Sequence, residues 1–570
     1  MKNFFGTLRF MLAKSSDTHI MWCALILLIM LTLAVLHRLW RYDEQKLRLW
    51  KKLCFVPFLL TTIHFFAYVA GTRFLRNYTP MYIIALLALV PMFCEHRNKG
   101  YKVAAPITGV LSVVLGIYFC TSSADLHNFT RKSYTASFEA LVTEMNRSYV
   151  LKEWKEVDFY TLKAKYMPLV EDAEQEKDPA KFADAVTMFC NELHDGHVMV
   201  YTKYNRNKYS SAFELHDYGL AMIKLDSDVV IAVCTDRAVN ELGIEDGTVI
   251  TKWNGKPVLQ AAEEDVPDEG VPVKANADRL VFLDLSATGG ETVEVSFINN
   301  AGRERTVTLS MLEQEHTLDD AYNAFSHSPD RKQELLTSNL SARMLNSKCG
   351  YLSLTALTTG NVLRDNIGFY SGENAWAREM FRKKLLRLKE QGMKYLVIDL
   401  RNNIGGYDEL GIALCELLTS EDMYASGLGI RQNGKYVGLT DKWIHGDGEF
   451  ADLKVVALTN FNCVSGGDVT AKYLSRLPNV TLAGITDPCG SGQMTGGSCA
   501  LSNGIVEVSY PIGLTLDENG TPNIDPRADR ISRDPVKVRI PLDYNAAMKI
   551  FRDKQDYELD WAVKYLEKNG

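Results

Sequence analysis

The sequence has no basic excess. Lysine and arginine number 63 against 70 aspartates and glutamates, so the net charge is -7, and no electrostatic footprint for a nucleic-acid partner exists. It also has no Cys-x-x-Cys: the eleven cysteines are scattered without metal-ligand spacing, which leaves no ground for a metal or another cofactor. Charge itself is missing from four N-terminal stretches, Ile20 to Leu36, Leu53 to Thr72, Asn77 to Cys94 and Val103 to Ala124.

Each of those stretches is about long enough to cross the hydrocarbon core as a helix. The alternative, buried helices of a soluble core, rarely runs this long without charge. A cleaved signal peptide does not fit, because three more apolar segments follow the first. Arg38, Arg41, Lys46, Arg48, Lys51 and Lys52 crowd the first connection, which favours that connection as cytoplasmic and both termini as outside. The expectation is a multi-pass cell-membrane anchor over 1–124, with the rest of the chain extracytoplasmic.

At 570 residues the chain is too long for one core. Over 125–212, Phe138, Leu141, Val142 and Met145 recur at helical spacing, as do Phe182, Ala185, Met188 and Phe189, and Asp178-Pro179 reads as a helix start. That second helix runs into His194-Asp195-Gly196-His197, either a surface turn with incidental histidines or the seat of a base that is neutral near physiological pH. Residues 213–312 carry short strands, the tight-turn pair Asn254-Gly255 and a helix over Ala275 to Leu285. A polar linker is expected over 313–346. From 347 to 570 strands and helices alternate, which predicts an α/β layered core.

Within that core, Val455-Val456-Ala457-Leu458 reads as a buried strand, and Val469 to Leu474 as a helix. Between them lies Cys463-Val464-Ser465-Gly466-Gly467-Asp468. A serine there either caps the helix or presents its hydroxyl beside free helix N-terminal amides that stabilise an oxyanion. A second glycine turn, Gly405-Gly406, follows the strand Tyr395 to Leu400.

Asp399-Leu400-Arg401-Asn402-Asn403-Ile404-Gly405-Gly406 resembles the Asp-Leu-Arg-x-Asn-x-Gly-Gly signature of the C-terminal-processing (tail-specific) serine peptidases, a family that includes the core of tricorn protease. Cys463 to Asp468 is similar to its nucleophile turn, and Gly350 to Leu354 and Asp195 to His197 match as well. The resemblance spans 131 to 545. It implies a crotonase-like (ClpP-like) α/β peptidase core with a helical N-terminal part, here preceded by four transmembrane helices. Residues 213–312 resemble an inserted PDZ-like β domain; Tyr218, Gly219, Leu220 and Ala221 stand where such domains hold a peptide carboxylate. The other reading of this module is a spacer that binds nothing.

The tail-specific branch places a lysine 25 residues after the serine, and Gly490 stands there. The tricorn-like branch uses a histidine and an acid instead. The resemblance then implies Ser465 as nucleophile, His197 as base, Asp525 of Asn523-Ile524-Asp525-Pro526 as acid, and the amides of Gly406 and Gly466 as oxyanion hole. His194, Asp487 and Asp529 are alternatives for base and acid; Lys472, seven residues after Ser465, is not a substitute for the missing lysine. Cys463 reads as small core filler. The expected function is cleavage of extracytoplasmic proteins or peptides through an acyl-enzyme; the alternative is a non-proteolytic ligand- or peptide-binding protein on the same fold. An oxidising exterior also permits a bond between Cys489 and Cys499.

Overall fold

The structure, a computed structural model, describes most of residues 28–60, then 125–204, 216–312, 317–327, and 339–569 apart from scattered positions between 362 and 373. Most of the four charge-free stretches lies outside the described residues. Among the described residues, no helix is long and apolar enough to cross a membrane. The connection after the first stretch forms the helix Glu44–Leu53, capped by Asp43.

The core centres on a six-stranded sheet. Its order is Val538–Arg539, Val480–Gly484, Lys454–Leu458, Tyr395–Asp399, Cys349–Leu354 and Leu340–Met344. All neighbours are parallel except the last pair. Strands covered on both faces need apolar residues at nearly every position, which is why Val455 to Leu458 and Leu396 to Ile398 are continuous hydrophobic runs, all buried. On one face the helices Ala375–Glu390, Asp408–Leu418 and Gly466–Ser475 close the core. On the other face Val397, Val456 and Ala483 meet the C-terminal residues Ile550, Phe551 and Leu566.

A second sheet carries the long hairpin Met423–Gln432 and Lys435–Ile444, then Val506–Leu516, Gln493–Ala500 and the short strands Asp125–Asn128 and Met199–Thr202. The helices Tyr134–Ser148, Phe159–Glu176 and Pro179–Asn191 lie against it. Phe138, Leu141, Met145, Phe182 and Phe189 share one apolar cluster with Val506, Val508 and Leu516. Asp178 caps the third helix by accepting from the Ala180 and Lys181 amides, as the Asp-Pro pair implies.

Residues 216–312 form a small β module. Ala221–Lys224 pairs with Val230–Val233, and Ile250–Trp253 joins Lys256–Pro257, Thr292–Ile298 and Glu304–Ser310 in a four-stranded sheet. Asn254 and Gly255 both take positive φ, 47° and 77°, the backbone of the tight hairpin turn. The helix Lys274–Leu285 lies across the first pair. Cys489 and Cys499, which the sequence allowed as a pair, form no disulfide. Cys499 belongs to the helical cluster, while the Cys489 thiol abuts Gly196.

Candidate active site

The parallel sheet delivers two turns to the same end. After Tyr395–Asp399 comes the Arg401–Gly406 turn, and after Lys454–Leu458 comes the Asn460–Ser465 turn. The first is built on Arg401, whose guanidinium is buried between Asp399 at 2.7 Å, Asp556 at 2.7 Å and Glu558 at 3.2 Å. Asn403 then ties the two turns together. Its side chain donates to Leu354 O and accepts from the Gly405 amide, both at 2.8 Å, and its carbonyl accepts from the Val464 amide at 2.9 Å. A Cβ on Gly405 would lie 2.5 Å from Ser465 Cβ, and one on Gly466 would lie 2.7 Å from Gly406 O. Only glycine permits this approach.

Ser465 occupies the residue before the helix Gly466–Ser475 with φ 57° and ψ -125°, and its hydroxyl caps nothing. The capping reading therefore falls. A non-glycine residue held at positive φ costs on the order of 1–3 kcal/mol and persists where the surroundings over-determine it. Among the described residues, the amides of Gly406 and Gly466 donate to no backbone carbonyl, which leaves both to a ligand.

His197 reaches the same place from the helical part. The turn after Pro179–Asn191 is anchored by Asp195, which accepts from the His197 amide at 2.8 Å and the Tyr149 hydroxyl at 2.7 Å. The following strand, Met199–Thr202, is stitched to Val506–Ser509. His197 is buried, its Nδ1 has no hydrogen-bond partner among the described residues, and burial pushes its pKa below the usual range, with Asp195 opposing. That favours the neutral, base-competent ring. Ser465, His197, Gly406 and Gly466 all line one cavity of about 400 Å³.

Asp525 is buried nearby, but its carboxylate is engaged elsewhere. It accepts from the Gly492 amide at 2.8 Å and from Gln493 Nε2 at 2.6 Å, with Lys155 Nζ at 3.9 Å. The same Gln493 nitrogen donates to Asp195 at 2.5 Å. Gln493 thus stands between the acid and the histidine turn, and no hydrogen bond joins Asp525 to His197. Burial first, then the neighbouring Asp195, pushes the Asp525 carboxyl up to about 7, against the pull of Lys155.

The alternatives are placed away from the cavity. His194 Nε2 meets Asp268 at 2.6 Å. Asp487 accepts from the Val536 amide and Arg539, and Asp529 accepts from the Ile531 amide. Lys472 points off the helix to Asp534, 2.9 Å, and Asn523 O, 2.7 Å. Cys463 is fully buried in the core cluster. Gly490, at the family's lysine position, takes φ 79° and donates to Asp468. Of the proposed peptide loop, Tyr218, Leu220 and Ala221 are buried, and the Gly219 amide already donates to Asp217 at 2.7 Å.

Sequence reasoning passed over Gln493, Asp408 and Lys442, all of which line the cavity. For Gln493 the available signal was its place directly after the glycine-rich Gly490-Ser491-Gly492. For Asp408 it was its place two residues after the Gly406 turn. Lys442 lies in a strand far along the chain and gave no signal.

Residues 348–530 match the sequence model of peptidase family S41. The chain is a serine peptidase, similar over this stretch to family S41. The S41 match contains Ser465, both glycine turns and Asp525; His197 lies before it. Mature CPAF, solved in complex with lactacystin, is similar over 77% of this chain and 99% of its own, with TM-score 0.50 and 14% identity, a likeness of fold. A putative peptidase from Parabacteroides merdae is similar over 76% of this chain and 97% of its own, with TM-score 0.42 and 15% identity. Tricorn protease is similar over 77% of this chain and 37% of its own, with TM-score 0.33 and 14% identity. No curated protein sequence matches the chain.

Proposed function

We propose that this serine peptidase is a membrane-anchored endopeptidase that cleaves extracytoplasmic proteins or peptides through an acyl-enzyme on Ser465. The observation that carries the reading is a strained, uncapped serine sharing a cavity with a buried histidine whose surroundings favour its neutral form. His197 takes the Ser465 hydroxyl proton as Oγ attacks the scissile carbonyl carbon, then returns it to the leaving amine. The Gly406 and Gly466 amides receive the oxyanion. Water, deprotonated by the same imidazole, then attacks the acyl carbon and releases Ser465. Asp525 and Asp195 act on the histidine turn through Gln493. The four charge-free stretches support the anchor, and the lysine and arginine bias supports an outward-facing peptidase. The element order of 216–312 supports a PDZ-like module with its carboxylate loop closed by Asp217.

A second reading, a ligand-binding protein on the same fold, is favoured by one observation, the separation of Asp525 from His197 by Gln493. A fluorophosphonate probe decides between them. Covalent labelling of Ser465 that disappears in Ser465→Ala, and that lactacystin, the ligand of the CPAF structure, competes away, supports the peptidase. A folded, unlabelled protein supports the binder.

A further inference from the structure

The wall of the Ser465 cavity is not uniformly apolar. Leu428, Val469 and Met494 are the aliphatic residues of that wall, and Asp408 and Lys442 interrupt it. Lys442 Nζ lies 2.6 Å from Asp408 Oδ1 and 2.7 Å from Glu409 Oε1. One ammonium thus faces two carboxylates. Glu409 is buried behind the wall, and burial together with the neighbouring Asp408 pushes its carboxyl up to about 7. Among the described residues, the second oxygen of Asp408 accepts a long bond, 3.4 Å, from the Tyr473 hydroxyl, which is committed to Ser426 at 2.7 Å. Asp408 therefore lines the cavity with one carboxylate oxygen only weakly engaged.

A charge in such a wall costs desolvation unless its lone pairs are used. Lys442 offsets part of that cost. Binding cavities fix orientation and specificity with a few polar groups set among apolar ones. We propose that Asp408, held by Lys442, is the specificity-determining carboxylate of this cavity, and that the cavity takes a substrate side chain with an apolar stem ending in an N–H donor: lysine, arginine or glutamine on the acyl side of the cleaved bond. The inference rests on the serine-peptidase reading of the site. The apolar stem lies along Leu428, Val469 and Met494, and the donor head reaches Asp408 Oδ2. The excess of carboxylate over ammonium accommodates a cationic head as well as an amide.

The test uses the full-length protein in detergent on a peptide library, with cleavage sites read by mass spectrometry and fluorophosphonate labelling measured in parallel. Wild type should cleave after donor-ended residues. Asp408→Asn should lower kcat/KM for those substrates on the order of 10- to 100-fold, the scale of a charge-assisted hydrogen bond. The paired variant Asp408→Leu with Lys442→Leu removes the charges from the cavity wall and leaves buried Glu409 to take up a proton, which its raised carboxyl pKa favours, and retained labelling shows that its site is assembled. It should prefer leucine and methionine. Labelled wild type that cleaves after apolar residues, or a preference that the paired variant leaves unchanged, overturns the inference and leaves the peptidase reading standing. Folded wild type with neither label nor cleavage overturns both.

Discussion

Gln493 donates its side-chain amide to Asp525 at 2.6 Å. The acid of the site therefore meets the histidine turn through an intermediary. Removing an acid bonded directly to the imidazole of a Ser-His-Asp triad costs about 10⁴-fold in turnover. Asp525→Asn should cost clearly less than that, because the Gly492 amide and Gln493 still hold residue 525 in place. Turnover of the two forms on one peptide checks it; a full 10⁴-fold loss would mean that the carboxylate swings onto His197 during the reaction.

The same carboxyl makes a stability prediction. Its folded-state pKa is raised from 3.8 to about 7, so the folded state binds the proton more tightly than the unfolded chain. Its contribution to stability is greatest below pH 4, falls as pH rises to about 7, and is level above that. The Tm of wild type relative to Asp525→Asn should fall across that window. A difference independent of pH would contradict the assignment.

His197 gives the opposite sign. Burial lowers its pKa from 6.5, so the folded state favours the neutral ring, and both stability and activity are lost on the acid side. The acid limb of the kcat/KM profile should lie below pH 6.5. Tyr149→Phe, which removes a hydrogen bond to Asp195, should move that limb. An acid limb above 6.5 would point to a histidine held charged.

Arg401 is a structural residue of the motif rather than a chemical one. Arg401→Met would leave Asp399 and Glu558, both buried, without their counter-charge. Breaking a buried ion network from one side costs about 3–5 kcal/mol, measurable as a shift of the denaturant midpoint. A change within about 0.5 kcal/mol, the scale of surface substitutions, would contradict it.

Much of this was readable in the residues. The Asp399–Gly406 and Cys463–Asp468 turns stood out because two glycine pairs follow apolar strands, and the structure shows the reason in the close approach of Gly405 to Ser465 and of Gly466 to Gly406. The helical part was readable from its spacing, and the helix expected over Ala275 to Leu285 is there as Lys274–Leu285. The second sheet was not. Its hairpin turns on Asn433-Gly434, with φ 51° and 72°, the same signal that marked Asn254-Gly255, and it was passed over. Gln493–Ala500 is rich in glycine and small polar residues, so no strand pattern shows; pairing with Val506–Leu516 makes it a strand. The partner of Asp525 was beyond reach for another reason. Which oxygen meets which nitrogen depends on the approach of three loops, and spacing along the chain carries no such distance.

The most direct measurement compares the turnover of His197→Ala, Lys472→Ala and Ser465→Ala in the full-length protein. Base and nucleophile act as a unit, so Ser465→Ala and His197→Ala should each lose on the order of 10⁶-fold. Lys472→Ala should retain wild-type turnover, because its ammonium is committed to Asp534 and Asn523 away from the cavity. An active His197→Ala beside a dead Lys472→Ala would contradict the account at its centre.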